Sequence, residues 1–178
     1  VPDPDGERWV AAHPELFCEP GDPGRLDSLS IYAPDWGRLL ERGLGGIAGE
    51  ALAVRKEAGV PASEREFLDA TVDAVTSVSS LIRRYAAEAR RLAGNPRSGT
   101  RRRELEAIAE RCDHVAWDAP GSFIEALQLL QIVHMVLACL IGGRDVTPAR
   151  LDQYLWRFYR DDLARASLTR EQAVVLLA

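Results

Sequence analysis

From residue 34 onwards, the hydrophobic positions of the chain follow a helical period. Apolar residues recur three or four positions apart in successive segments, and this spacing places each set on one face of a helix. Strand candidates are weak, "LSIYA" being one. We therefore predict a mainly α fold with few or no strands. The predicted inward-facing positions fall in four successive stripes: Trp36, Leu39, Leu40, Leu44, Ile47, Ala51 and Val54; then Phe67, Thr71, Ala74, Val78, Leu81, Ile82, Tyr85, Ala89 and Leu92; then Leu105, Ile108 and Cys112; and finally Leu151, Tyr154, Leu155 and Phe158.

Residues that cap or break helices divide this region into elements. Polar side chains that accept hydrogen bonds from free backbone N–H groups are typical of helix N-termini, and a Ser or Thr followed three residues later by Glu or Gln forms a capping box. The predicted caps are Ser63 with Glu66, Asp118, Thr147 before Pro148, and Thr169 with Gln172.

Glycines are concentrated in the first helical segment, at positions 43, 45, 46 and 49. Each destabilises a helix by about 1 kcal/mol relative to alanine. So many glycines are tolerable only where another part of the chain approaches closely. We therefore predict close packing against this segment.

The segment Phe123–Ile141 is apolar on nearly every face, which predicts a central helix buried on all sides. It is almost long enough to cross a bilayer, but Glu125, Gln128, Gln131 and His134 are costly in lipid. These four recur every third residue. A carboxylate-bridged metal site needs Glu-x-x-His pairs on two helices, and the sequence contains no such pair. We therefore predict that the four polar side chains form a hydrogen-bonded seam within the protein.

The composition indicates a soluble globular protein. The chain has 178 residues, 47% hydrophobic and 28% charged, with a net charge of -5. The acidic balance argues against nucleic acid as a partner, because phosphate binding requires a basic surface. No signal peptide or spanning segment is found, so we predict a cytoplasmic protein without a membrane partner. The first thirty residues, rich in proline and glycine, predict an irregular arm over residues 1–30 and a helical region over residues 31–178.

The cysteines do not suggest metal binding or disulfides. Cys18, Cys112 and Cys139 are odd in number and far apart, and no Cys-x-x-Cys or Cys/His spacing occurs. Cys139 lies in an apolar run, where a buried thiol is expected. Glu110 and His114 form one isolated pair, which is more typical of a helix end than of a metal site.

Four segments match, in order, segments typical of one enzyme family. "PDWGRLLERGLGGI" is similar to "PDYEKVLKKGLKGI", and "RLDQYLWRFYRDDLARASLTREQAVVLL" is similar to "RFDQYLYPYYKKDLEEGRLTREEALELL". "LIRRYAAEARRLA" and "LEAIAERCDHVAWDAPGSFIEALQLLQIVHMVL" lie between them in the same order. From about Ser30 to Ala178 the chain thus resembles the glycyl radical enzymes, the pyruvate formate-lyase-like family of polyol, choline and hydroxyproline lyases.

The resemblance implies a large α/β barrel, of which this chain is an N-terminal portion made mostly of helices outside the barrel. The family's chemistry uses a backbone glycyl radical, installed by a radical SAM activase, and a cysteine that becomes a thiyl radical. Neither the "RVxGY"-type glycine segment nor a "GCVE"-like cysteine loop occurs here. We expect no catalytic residue and no cofactor in this chain, which is truncated before both segments and cannot run the radical cycle alone.

The family's substrate site is altered in two places, at three positions in all. Where many members have "GHSVSPG", this chain has "GRDVTPA", which places Arg144 and Asp145 at the substrate-facing His and Ser. Ile31 replaces a second histidine. Arginine binds a carboxylate through two parallel N–H contacts. We predict that Arg144 and Asp145 bind a small anionic substrate; from the residues alone, an ion pair or helix cap is the alternative.

Three functional hypotheses follow. In the first, the chain is the N-terminal part of a glycyl-radical-enzyme-like protein, and its partner is the remaining C-terminal portion or a second copy. In the second, it is a free-standing helical domain for binding or assembly, derived from that fold. In the third, it is a small enzyme that uses Arg144 and Asp145. A part of a larger protein is expected to expose a broad apolar surface.

Overall fold

A computed structural model describes residues 33–95, 99, 101–140 and 146–177, with the side chains of residues 139 and 140 left out. Within these ranges the chain forms helices and no strand, which confirms the mainly α prediction. The predicted arm over residues 1–30 and the expected burial of Cys139 lie outside what is described. The helices are α1 (Trp36–Arg55), α2 (Ala62–Ala93), α3 (Arg102–Val115), α4 (Phe123–Met135), which continues into a π-helical turn (Val136–Leu140), α5 (Leu151–Ala164) and α6 (Arg170–Leu177).

The helices pack as two groups that share α1. The long α2 packs along α1 and α3, whereas α4 contacts α1, α3 and α5. Each fully buried large apolar side chain stabilises the fold by about 1.5–3 kcal/mol. The core therefore holds α4 and α5 against the face of α1 that carries Trp36. The largest side chains that are completely buried in this core are Trp36, Leu40, Ile82, Leu129, Val115 and Cys112.

A kink divides α1 at Gly43, whose φ of 65° and ψ of 176° are not helical. A Cβ at Gly43 would lie 2.5 Å from Ala119 N and 2.6 Å from Asp118 C. The Gly45 N–H donates to Trp117 O over 2.7 Å, and a Cβ there would meet the indole ring. The predicted close packing is confirmed at these two glycines. It is wrong at Gly49, where a Cβ would meet no atom within 4 Å outside the backbone of its own helix.

The N-terminus of α4 is capped by residues other than the predicted Asp118. Ser122 accepts a hydrogen bond from the Glu125 N–H, and the buried Asp162 accepts one from the Phe123 N–H over 2.7 Å. Asp118 lies four residues before Ser122, and its backbone packs on Gly43. It is therefore unsuited to cap α4. The prediction of this cap was therefore wrong.

The other predicted caps gave mixed results. Thr169 and Gln172 form the predicted capping box, with each side chain accepting from the other residue's N–H. Ser63 already lies in the first turn of α2, which has Pro61 at its N-cap and no side-chain cap. Thr147 does not begin α5: its Oγ1 accepts from the Ala149 N–H. Ala149 has a φ of 50°, which keeps this turn out of the helix.

Apolar surface remains exposed at two places far apart in the sequence. Phe67 on α2 is 70% exposed and Val175 on α6 is 76% exposed. On α6 the exposed apolar side chains are consecutive, from Val174 to Leu177, and contiguous exposed apolar surface is typical of interaction sites. On α4, Ile124, Leu127 and Val133 are only half-buried, so the predicted burial on all sides is incomplete. None of the described helices is both long and apolar enough to cross a membrane.

Candidate functional site

The predicted substrate-binding residues Arg144 and Asp145 lie outside the described residues, and so does Ile31. The structure describes what surrounds this segment in the chain. The π-helical turn that extends α4 precedes it, and the backbone from Val146 to the start of α5 follows it. In the described part of the chain, the candidate site therefore consists of these neighbouring parts.

Two aromatic side chains hold the backbone that follows the segment. Trp36 Nε1 donates to Thr147 O over 2.9 Å, and His134 Nε2 lies 2.9 Å from Val146 O. Because a carbonyl oxygen only accepts, the hydrogen of this second bond is on His134 Nε2. The two rings lie 6.5 Å apart. Donors from α1 and α4 thus fix two consecutive carbonyl groups.

A small cavity of about 210 Å³ lies beside these two rings. Its walls are mostly apolar, and its polar side chains are His134 and Gln131, the latter exposed to solvent. Binding sites for drug-sized molecules span roughly 300–1,000 Å³, so this space suits a molecule with few heavy atoms. The cavity is lined by Trp36, Leu127, Leu130, Gln131, His134, Pro148 and Leu151.

The polar row along α4 forms the predicted hydrogen-bonded seam at three of its four positions. Glu125 pairs with His114 Nδ1 at 3.1 Å and accepts from the Gly121 N–H. The Gln128 side chain accepts a hydrogen bond from Arg111 Nε and donates one to Cys112 Sγ, both on α3. His134 bonds to Val146 O. Gln131 is the exception. Within the described ranges, no three His, Cys, Asp or Glu side chains are grouped to hold a metal ion.

Cys112 is a structural thiol. Burial raises the pKa of Cys112, and the hydrogen bond donated by Gln128 only partly opposes this effect. Because a free cysteine titrates near pH 8.5, Cys112 is protonated at neutral pH. The thiolate is the reactive form, so this residue is not poised for chemistry.

The hydrogen-bonding role of Trp36 was not predicted from the sequence, whose pattern places this residue only on the apolar face of α1. The side chain is 1% exposed, and a buried indole N–H requires an acceptor. Trp36 also stands where the similar family segment has tyrosine in "PDY". Those two facts pointed to a polar role, although the acceptor at Thr147 lies 111 residues away.

Sequence comparison links the chain to enzymes that are much longer. The pyruvate formate lyase-like family model matches residues 28–178. The probable dehydratase YbiW of Escherichia coli K12 is 37% identical over 144 residues, which are 78% of this chain and 18% of that protein. An isethionate sulfite-lyase of Nitratidesulfovibrio vulgaris is 35% identical over 155 residues, again with 18% of its length covered. The chain thus spans less than a fifth of these relatives.

Solved structures give the same result. A glycyl radical enzyme from Archaeoglobus fulgidus superposes with a TM-score of 0.73 at 30% identity, over 83% of this chain and 20% of that one. Hydroxyproline dehydratase from Clostridioides difficile gives 0.71 at 27% identity, over 79% and 19%. These findings agree with the prediction that the chain is the N-terminal, helical portion of a glycyl-radical-enzyme-like protein. The chain belongs to the pyruvate formate lyase-like family.

Proposed function

We propose that this chain forms one wall of the substrate site in a glycyl radical dehydratase or lyase. Its relatives carry such names, including a probable dehydratase and sulfite-lyases. The glycine that bears the radical and the cysteine that becomes the thiyl radical would belong to a part of the enzyme outside this chain, where an activase would generate the radical. The chain itself would contribute binding and orientation of the substrate.

The proposed substrate is a small molecule that carries both a hydroxyl and an anionic group. Isethionate, 3-sulfopropanediol and trans-4-hydroxyproline, named in relatives, share this chemistry. The guanidinium of Arg144 would bind the sulfonate or carboxylate through two parallel N–H contacts. Asp145, which only accepts hydrogen bonds when ionised, would accept one from the hydroxyl group.

The observation that carries this proposal is the anchored backbone directly after the two residues. Val146 and Thr147 are held by His134 and Trp36, beside a cavity that suits a small molecule. An arginine near a fixed backbone loses less freedom when it binds an anion than one on a free loop does. This arrangement therefore favours a binding role for Arg144 over an ion pair at a helix entry.

Substituting Arg144 tests the proposed substrate class. In the native polypeptide that contains this chain, R144A should weaken isethionate or trans-4-hydroxyproline binding by roughly 30-fold or more, because losing one partner of a desolvated charge pair costs about 2 kcal/mol or more. R144K should have an intermediate effect, since lysine keeps the charge but not the two parallel contacts. Isothermal titration calorimetry measures both affinities.

Two controls make this result specific. R150A removes a nearby arginine that is exposed and paired with Asp152, and it should leave the affinity unchanged. Affinity for 1,2-propanediol, which has hydroxyl groups but no anion, should be the same in R144A as in the wild type. An R144A variant that binds all probes like the wild type would contradict the assignment of Arg144.

The mass of the native polypeptide tests the larger-enzyme proposal. We expect intact mass spectrometry of the protein purified from its source to give several times the 19.6 kDa of this chain, because the relatives are that much longer. Exposed apolar residues such as Phe67 and Val175 would then be covered by the rest of the enzyme. A native polypeptide of 19.6 kDa that is a monodisperse monomer would instead support a free-standing helical domain. If two such polypeptides formed a dimer, the partner would be a second copy.

A further inference from the structure

We infer that Trp36 and His134 are positioning residues, which fix the backbone at Val146 and Thr147, directly after Arg144 and Asp145 in the sequence. Neither side chain is assigned to contact the substrate. Each acts through the main chain, by donating a ring N–H to a carbonyl oxygen. The consequence for ligand affinity rests on the function proposed above, whereas the anchoring itself does not.

The two hydrogen bonds come from independent elements. Trp36 lies at the start of α1, 111 residues before its acceptor, and His134 lies in the last turn of α4, 12 residues before its acceptor. Their acceptors are consecutive carbonyls at Val146 and Thr147. The stretch is thereby tied to two helices that themselves contact each other in the core. A shift of this backbone would break both bonds together.

The stretch is also fixed on its other side. Val146 is buried in the core, and Thr147 Oγ1 accepts from the Ala149 N–H to close a tight turn. Ala149 takes up a left-handed backbone conformation, with a φ of 50°, and α5 begins two residues later. The chain thus enters a packed helix at Leu151, five residues after Val146.

His134 is suited to this task by the N–H group of its ring rather than by its charge. Its Nε2 must carry the hydrogen, because the acceptor is a carbonyl. A glutamine at this position carries an amide N–H at a similar reach, whereas leucine fills the space without a donor. His134→Gln is therefore a conservative variant that keeps the bond, and His134→Leu is the variant that removes it. Trp36→Phe removes the indole N–H while keeping an aromatic ring.

Limited trypsin digestion reports the anchoring directly, because Arg144 and Arg150 flank the anchored residues. In the native polypeptide, W36F and H134L should be cleaved after these two arginines roughly tenfold faster than the wild type, since proteolysis tracks the population of the opened form and an unpaired buried carbonyl favours opening. H134Q should be cleaved at the wild-type rate. Mass spectrometry assigns each cleavage, and cleavage after Arg102 serves as the internal reference.

A core variant separates anchoring from general destabilisation. Leu129 lies on α4 and is fully buried, and its side chain has no donor that could bond to the anchored carbonyls. L129A should raise cleavage after Arg102 and after Arg150 in parallel. If W36F and H134L also raise both in parallel, the positioning role is overturned. If H134Q is cleaved as fast as H134L, the ring's packing and not its N–H holds the backbone, and the inference fails as well.

The affinity of the same variants for isethionate distinguishes this inference from the proposed function. We expect W36F and H134L to bind isethionate severalfold more weakly, and H134Q to bind it like the wild type. Faster local cleavage in a protein whose wild type does not bind isethionate would contradict the proposed function and leave the anchoring intact. Binding that depends on Arg144, with unchanged cleavage in W36F and H134L, would overturn the anchoring and leave the function.

Discussion

Replacing Gly43 by alanine is expected to lower the free energy of unfolding of the 178-residue chain by about 3 kcal/mol or more. The new Cβ would lie 2.5 Å from Ala119 N and 2.6 Å from Asp118 C. Both neighbours are backbone atoms, which cannot rotate away as a side chain can, and overpacking of this kind costs about 1–3 kcal/mol. The φ of 65° and ψ of 176° at Gly43 fall in a region used almost only by glycine, which adds about 1–3 kcal/mol.

Other glycines of α1 provide matched controls in the same urea-unfolding measurement. G49A should increase the free energy of unfolding by about 1 kcal/mol, because nothing lies within 4 Å of the new Cβ and alanine favours the helix. G45A should fall between the two, since its clash is with the partly exposed indole ring of Trp117, which can move. Equal stabilities of G43A and G49A would contradict the packing described for the kink.

These glycines show which part of the fold is readable from a sequence. Helical periodicity predicted α1 and the inward positions that are buried, from Trp36 to Ala51, because both depend on residues close together in the chain. The glycine cluster also indicated a close neighbour. It did not identify the neighbour as residues 117–119, nor distinguish Gly43 from Gly49, because those contacts join parts of the chain some 75 residues apart in a way that composition does not encode.

Helix caps follow this division only in part. The capping box of Thr169 and Gln172, whose partners lie within one turn, was predicted correctly, whereas the equally local pair Ser63 and Glu66 does not cap α2. The cap of α4 was predicted wrongly: its local acceptor Ser122 was overlooked, and its second acceptor, Asp162, is 39 residues from Phe123. At the candidate site, Arg144 and Asp145 were predicted through resemblance to family segments alone, and their role stays a prediction. The donor role of Trp36 was missed, since its acceptor is also distant in sequence.

Asp162 is the residue whose loss should next most strongly affect the fold. Its carboxylate is 4% exposed; Oδ2 accepts from the Phe123 N–H over 2.7 Å and Oδ1 from the Arg165 guanidinium over 2.6 Å. A carboxylate at a helix N-terminus is further stabilised by the helix dipole. D162A leaves a buried N–H unpaired and a guanidinium without its partner, so the free energy of unfolding should fall by about 3 kcal/mol. D161N, at an exposed neighbour paired with Arg160, should change it by less than about 0.5 kcal/mol.

The pH dependence of the D162N variant tests the charge separately from the hydrogen bond. Burial alone raises the pKa of Asp162, but the hydrogen bonds from Phe123 and Arg165 outweigh it and leave the pKa below its usual range. A carboxyl whose pKa is lowered on folding stabilises the protein fully above its unfolded pKa of about 3.9, and this stabilisation is lost as pH falls through the folded pKa. The free energy of unfolding of the wild type minus that of D162N should therefore be constant from pH 7 to about 5 and shrink below pH 4. Because every other carboxylate titrates in both proteins, their difference isolates Asp162. Two curves that stay parallel down to pH 2 would show that the charge of Asp162 does not stabilise the start of α4.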